Sequence, residues 1–385
     1  MNFKNLLLFH TKNGEVYFTP SPLGNIALCM NFMRLVLNSY QSAFRCSTGS
    51  SGRMRYIQSD LTKYRRLLPQ FASLYSWHYQ YHPNLELFFR QYRDHQICGA
   101  GEYERRTVCS REMTCKDGFD DFIALLRHKA HGENHKKRAA DWTSKLQKNN
   151  TRWLKLESEL FRRHSTISFA CVSLSYQASA FNTEELPQKV AELKHVLNKD
   201  FANYLDGHKI TTLPSAMYSV SFEQLQADRN KLFGNLKGKT RISRQLAGYL
   251  WCIETNPISG YRLQVALFFS GTTPDETQKL ATAFSQYWDH FIASTPGVSC
   301  VLDVQQLLRP MALGASPIGH QDQARRDALR ELVIPELFGL GRTFNCRPYK
   351  QAHLFGTGLI RRSRPSLSSA LVHSTCNREI RRKTP

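Results

Sequence analysis

Residues 246–271, LAGYLWCIETNPISGYRLQVALFFSG, decide the fold of the domain that contains the candidate site residues. Two apolar runs of strand length flank a short segment of Asn, Pro, Ser and Gly, and this composition is typical of a turn. The stretch therefore predicts a β-hairpin. Strict alternation in its second strand places Arg262 and Gln264 side by side on one face, and Glu254 lies near the end of the first strand.

The three polar residues of this hairpin have two interpretations. A carboxylate, a guanidinium and an amide on one face of a sheet form either a polar site or the solvent-exposed side of a half-buried sheet. Residue chemistry alone favours the solvent-exposed side.

Strand and helix patterns continue on both sides of the hairpin. The predicted elements are a strand at 166–176, helices at 184–204 and 222–233, the hairpin, a helix that begins after Thr273, a strand at 299–304 and a helix at 322–332. Thr273, Pro274 and Glu276 form the signature of a helix N-terminus. The order of these elements predicts an α+β fold, an antiparallel sheet with helices against one face.

Composition divides the chain of 385 residues into four parts. They are an N-terminal segment with a Ser/Gly linker (1–53), a mainly helical basic region (54–160), the α+β domain (161–358) and a basic tail (359–385) that is predicted to be disordered. The chain contains no apolar run long enough to span a membrane and no secretion signal, so we expect a cytoplasmic protein.

The charge balance favours a polyanionic partner. Fifty-two Lys and Arg residues against 31 Asp and Glu residues give a net charge of +21, and nucleic acid is the commonest partner of such a protein. An anionic membrane surface and a merely basic protein are the alternatives. The candidate nucleic-acid contacts are Lys136, Lys137, Arg138, Arg152, Arg262, Arg361 and Arg362. The basic segment at 128–164 is either a helix that lies on a phosphate backbone or a solvated helical arm.

Other kinds of site have weaker support. Cys98, Cys109 and Cys115 precede three histidines, but their spacing lacks the close cysteine pairs of a zinc site. The sequence has neither a phosphate-binding glycine loop nor a Gly-x-Ser-x-Gly motif, so nucleotide hydrolysis and serine esterase chemistry are unsupported.

Several segments together carry a resemblance to a known family. They are ISFACVSLSY at 167–176, GYLWCIET at 248–255, GYRLQVALFFSG at 260–271, QYWDHF at 286–291, RRDALREL at 325–332, HLFGTG at 353–358 and, more weakly, YHPNLELF at 81–88. In this order they resemble the C-terminal domain of the inovirus-type replication-protein family of filamentous phages and prophages, also called the YagK/YfjJ family. The resemblance implies the ferredoxin-like core of rolling-circle HUH initiators, and DNA, single-stranded or at an origin, as the partner.

The sequence departs from this family at the catalytic positions. In the family, two histidines at alternate positions of one strand hold a divalent metal, magnesium or manganese, while a tyrosine attacks the scissile phosphate. Here Arg262 and Gln264 stand at the histidine positions, and a guanidinium has no lone pair for a metal. The tyrosine position corresponds to 333–336, which contains no tyrosine, and the nearest one downstream is Tyr349. The resemblance therefore implies a DNA-binding protein that lacks both the nicking activity and the metal.

Glu254, Arg262 and Gln264 are thus the residues of a degenerate catalytic site. One hypothesis is that Glu254 and Arg262 form an ion pair in the space that a metal occupies in active relatives; the other is that Arg262 contacts a DNA phosphate. Two further functions stay open. They are an active metal-dependent nickase with an altered site, and a non-enzymatic regulatory protein that binds nucleic acid or a protein partner.

Overall fold

The hairpin predicted at 246–271 lies at the centre of an antiparallel sheet. The structure, a computed structural model, describes residues 6–48, 54–97, 115–208, 218–236, 241–304, 316–340, 343–346 and 352–359. The described strands are β1 (Leu6–His10), β2 (Val16–Pro20), β3 (Phe44–Thr48), β4 (Met54–Gln58), β5 (Tyr79–Tyr81), β6 (Thr166–Tyr176), β7 (Leu246–Asn256), β8 (Gly260–Ser270), β9 (Gly297–Leu302), β10 (Ile318–Gly319), β11 (Phe344–Cys346) and β12 (Phe355–Leu359).

Helices make up most of the remaining described chain. They are α1 (Ile26–Asn38), α2 (Leu68–Ala72), α3 (Pro83–Asp94), α4 (Cys115–Ala130), α5 (Glu133–Arg163), α6 (Leu186–Leu205), α7 (Phe222–Asn235), α8 (Pro274–Tyr287), α9 (Gln323–Asp327) and α10 (Ile334–Phe338). The predicted strand at 166–176 coincides with β6. The predicted start of α8 is also confirmed, because Thr273 and Glu276 form a capping box.

The main sheet has the order β10, β6, β8, β7 and β12, and β9 pairs with β6 on the same side as β10. All of these pairings are antiparallel. The turn between β7 and β8 requires a glycine, because Gly260 has a φ of 77° and a Cβ there would lie 3.0 Å from the Tyr218 side chain. This register places Glu254 directly opposite Arg262.

Helices cover both faces of the sheet, so the prediction of helices on one face is wrong. On one face, side chains of α7 and α8 share a core with alternate residues of β8, such as Val265 and Leu267. On the other face, side chains of α5 and α10 pack against Ala266 and Phe268. Every residue of β7 is buried as a result. The sheet is a central layer, and the predicted solvent-exposed polar face does not exist.

Four of the helices before β6 build a core of their own, whereas α5 packs against the sheet. Phe32 of α1, Phe71 of α2, Phe88 of α3 and Phe122 of α4 meet in this core. The N-terminal hairpin of β1 and β2 packs elsewhere: Leu8 joins the core beneath α5 and α10. The structure therefore places residues 6–20 with the sheet.

Some of the predicted features lie outside the described residues. These are Cys98, Cys109, Tyr349, Arg361 and Arg362, together with the rest of the tail from residue 360 onward and most of the Ser/Gly linker. None of the described helices combines the length and the apolar composition that a membrane span requires.

Candidate functional site

A buried ion pair occupies the polar end of the central hairpin. Arg262 donates from Nε to Oε2 of Glu254 at 3.1 Å, and its Nη2 donates to the same oxygen. The two residues are only 8% and 5% exposed. The contact predicted between them is therefore present, and it joins the two strands at directly opposite positions.

The N-terminal strand closes over this pair. Nη1 of Arg262 donates to the backbone carbonyl of Leu8 in β1 at 2.8 Å. With its donors directed at Glu254 and Leu8, and with its side chain beneath β1, Arg262 is not on a surface that DNA can reach. The alternative prediction, in which Arg262 contacts a DNA phosphate directly, is therefore wrong.

Gln264 lies further along the same face of β8 and is fully buried. Its Nε2 donates to the backbone carbonyl of Leu337 in α10 at 3.3 Å. Its Oε1 has no hydrogen-bond partner among the described residues. The amide nitrogen of Gln264 thus links the sheet to α10.

A histidine that sequence analysis did not select completes the polar cluster. Nε2 of His10, at the end of β1, lies 2.8 Å from Oγ of Ser173, which is opposite Gln264 in the sheet. Burial, and then the charge of Arg262, lower the pKa of His10 to about 3. The imidazole is therefore neutral at neutral pH. We call His10, Ser173, Glu254, Arg262 and Gln264 the hairpin cluster.

The hairpin cluster does not fit the divalent metal that the family resemblance implies. The guanidinium of Arg262 lies against the one carboxylate of the cluster, and a second cation there would meet its charge at close range. Elsewhere in the described parts of the chain, no three His, Cys, Asp or Glu side chains gather in a group that could hold a metal ion.

A cleft opens to solvent beside the hairpin cluster. Its floor includes Cys252 of β7, which is opposite Gln264 in the sheet. Its walls include Trp142, Lys145 and Asn149 of α5, Phe338 at the end of α10 and Asn345 of β11. Apolar surface, amide groups and one cation therefore meet in this space, which we call the α5 cleft.

The outer face of α5 carries a row of positive charges. Trp153, Leu156 and Leu160 bury one side of the helix. Away from that side, Lys145, Lys148, Arg152 and Lys155 follow one another at spacings of three, four and three residues, and all four are exposed. Such spacing aligns side chains along one face of a helix. We call these four residues the α5 ladder.

The α5 ladder is free of neutralising acids. From Trp142 to Leu156 the chain contains no Asp or Glu. None of the four ladder side chains forms an ion pair or a hydrogen bond with a described residue. The positive charges therefore face solvent.

The other predicted contact residues of α5 precede the ladder. Lys136 and Lys137 are exposed, whereas Arg138 forms an ion pair with Glu86 of α3. Of the four ladder residues, only Arg152 is among the contacts predicted from the sequence. The missed signal was the acid-free stretch itself, in which Lys145, Lys148 and Lys155 share helical spacing with Arg152.

Comparison with known proteins found no matching protein-family model, no matching curated protein and no matching solved structure.

Proposed function

We propose that this protein binds DNA through the α5 ladder and does not nick it. The observation that carries the proposal is a row of four exposed positive charges on one face of a long helix, in a stretch without Asp or Glu. A solvent-exposed helix face more often carries charges of alternating sign. In contrast to the ladder, the ends of α5 mix both signs, as in the contacts of Arg162 and Arg163 with Glu159.

The dimensions of the ladder suit a phosphate backbone. A rise of about 1.5 Å per residue separates Lys145 from Lys155 by about 15 Å along the helix axis. In duplex DNA each strand carries a phosphate about every 3.4 Å of helix axis, so the ladder is about as long as four phosphates of such a strand. Each phosphate that the ladder neutralises releases counterions, which is the main source of sequence-independent affinity.

The proposal assigns the hairpin cluster a structural role. The resemblance to replication initiators of phages and prophages supports DNA as the partner and an initiator-like core for the sheet. The same resemblance supports the loss of nicking, because Arg262 and Gln264 stand where the family has metal-binding histidines. The tyrosine of the family is expected at 333–336. This segment contains no tyrosine and lies in the helical stretch that leads into α10.

Binding of a labelled single-stranded 20-mer at a series of salt concentrations tests the ladder. The test variant replaces all four ladder residues with Gln. The control variant makes the same change in charge at exposed lysines on other helices, namely Lys129, Lys194, Lys199 and Lys279. With about 0.7 counterions released per phosphate of a single strand, we expect the slope of log K against log salt to fall by about 3 in the ladder variant.

The control variant should keep most of the wild-type slope, because its charges are scattered over α4, α6 and α8. Equal slopes in the two variants would show that only net charge matters and would reject the ladder. If the protein binds vesicles of anionic lipid but not the 20-mer, DNA is rejected as the partner.

The absence of nicking has a separate test. Supercoiled plasmid and single-stranded DNA are incubated with the protein and manganese or magnesium. We expect neither relaxed plasmid nor a covalent protein–DNA adduct. An adduct would restore the nickase with an altered site, whatever the outcome of the binding experiment.

A further inference from the structure

The strand at one edge of the main sheet, β12, runs alongside the α5 ladder. Its first residue, Phe355, lines the α5 cleft together with Lys145, the first cation of the ladder. Its last residue, Leu359, pairs with Gly248 of β7, and a Cβ at Gly248 would lie 3.1 Å from the side chain of Leu156 in α5. The strand therefore begins at the Lys145 end of the ladder and ends at the opposite end.

The lengths of the two elements agree. A strand rises about 3.3 Å per residue, so β12 covers about 13 Å from Phe355 to Leu359. The ladder covers about 15 Å along the axis of α5. The chain thus leaves the sheet beside the last cation of the ladder, and the basic tail starts from that point.

Three arginines follow β12 closely in the sequence. Arg361, Arg362 and Arg364 come two, three and five residues after Leu359. A chain extends by at most about 3.6 Å per residue, so the backbone of Arg361 stays within about 7 Å of Leu359 and that of Arg364 within about 18 Å. Covalent geometry sets this limit for every conformation. The link to β12 therefore gives these guanidinium groups a high effective concentration at the end of the ladder.

The sequence around these arginines contains no acid. From Leu337 to Arg378 the chain has neither Asp nor Glu. The two acids of α5 that follow the ladder, Glu157 and Glu159, both form ion pairs with arginines. The three arginines thus have no acidic neighbour along the chain, and the acids of α5 nearest to the end of the ladder are already paired.

We infer that the α5 ladder and the first three arginines of the tail form one continuous phosphate-binding path, which one DNA strand follows from Lys145 past Lys155 to Arg364. The inference rests on the proposed function and extends its site from four cations to seven. The preferred ligand is then a strand with at least about seven phosphates. Contacts to phosphates carry no sequence information directly, so the path requires no particular base.

Binding of the labelled single-stranded 20-mer at a series of salt concentrations tests the path. The first tail variant changes the three arginines nearest to β12: Arg361→Gln, Arg362→Gln and Arg364→Gln. With about 0.7 counterions released per phosphate of a single strand, we expect the slope of log K against log salt to fall by about 2. A 5-mer has only about four phosphates, which the ladder alone neutralises. The first tail variant should therefore bind the 5-mer as tightly as the wild type does.

The control removes the same charge from the far part of the tail: Arg378→Gln, Arg381→Gln and Arg382→Gln. These positions are 19 to 23 residues beyond Leu359, so their effective concentration at the ladder is lower. The slope for the 20-mer should fall by less than about 1. Both tail variants should keep the thermal midpoint of unfolding of the wild type, which excludes a change of fold as the cause of weaker binding.

The outcomes distinguish the path from the ladder alone. Equal losses of slope in the two tail variants would show that the tail acts as a free polycation and would overturn the path. An unchanged slope in the first tail variant, with a loss in the ladder variant, would overturn the path and leave the ladder in place. Weaker binding of the 5-mer by the first tail variant would also overturn it. A loss of slope in the first tail variant but not in the ladder variant would instead reject the ladder.

Discussion

The hairpin cluster and the α5 ladder both contain arginine, yet their charges have different surroundings. In the hairpin cluster, Arg262 is buried, faces Glu254 in register and donates to the backbone of β1. In the ladder, Arg152 is exposed and stands among cations of the same sign. The charge of Arg262 is satisfied by the fold, whereas that of Arg152 is available to a partner.

This difference separates two uses of a polar residue that look alike in the sequence. A buried ion pair contributes little net stability, because desolvation offsets the attraction, but the loss of one partner leaves an uncompensated charge. Exposed like charges repel one another weakly and are screened by salt. Substitutions in the two regions should therefore affect different properties.

The substitution Glu254→Gln should have the largest effect. It leaves the guanidinium of Arg262 buried without a counter-charge, and we expect the free energy of unfolding to fall by about 3–5 kcal/mol. Urea unfolding at pH 7, followed by tryptophan fluorescence, measures the change.

The double substitution Glu254→Gln with Arg262→Met is the control for this prediction. It leaves no buried charge, so it should recover part of the loss, although the carbonyl of Leu8 then lacks its donor. A loss below about 1 kcal/mol in Glu254→Gln would mean that Arg262 reaches solvent, and the contrast with the ladder would fail.

The buried imidazole of His10 makes the stability of the protein depend on pH. Its pKa is about 3 in the folded protein against 6.5 in the unfolded chain. Between these values the unfolded chain binds the extra proton, so the contribution of His10 is fully present above pH 6.5 and is lost as the pH falls toward 3.

The substitution His10→Gln removes this contribution. At about 1.4 kcal/mol per pH unit, the loss of stability between pH 7 and pH 5 should be smaller in the variant by roughly 2 kcal/mol. Urea unfolding at the two pH values measures it. Asp200 and Asp289, whose pKa values burial raises, are common to both proteins and cancel in the difference. An imidazole of His10 that titrates near pH 6.5 in NMR spectra would contradict the burial.

Local patterns were enough to predict β6, β7 and β8, which hold Ser173, Glu254, Arg262 and Gln264 of the hairpin cluster. The alternation in β8 placed Arg262 and Gln264 on one face, and the capping residues located the start of α8. The burial of that face was missed, although its signal was present. Cys252, Ala266 and Phe268 on the same face are apolar, and apolar residues on both faces are typical of a strand in a covered sheet.

The rest of the cluster had no local signal. His10 and Ser173 are 163 residues apart in sequence, and their contact depends on where β1 packs after the sheet has formed. An apolar run of a few residues at 6–9 is compatible with several structures. Only tertiary packing makes it a strand that lies against the central hairpin. The ladder, in contrast, needed no tertiary information, because its spacing and its lack of acids are properties of one helix.

The smallest effect on stability should come from the ladder, and its sign is informative. Lys148 and Arg152 are four residues apart, and like charges at this spacing destabilise a helix by about 0.2–0.5 kcal/mol. Gln has a helix propensity close to that of Lys and Arg. Lys148→Gln with Arg152→Gln should therefore raise the free energy of unfolding by a few tenths of a kcal/mol at low salt, with no difference at 1 M salt, where screening is strong.

The same double variant should bind the single-stranded 20-mer more weakly, with a salt slope lower by about 1.4 for two lost phosphate contacts. Stability and binding would then change in opposite directions. A surface that weakens its own helix and strengthens contact with a polyanion is better explained by the partner than by the fold. A loss of more than about 1 kcal/mol of stability would give these side chains a structural role and would remove the contrast with Arg262.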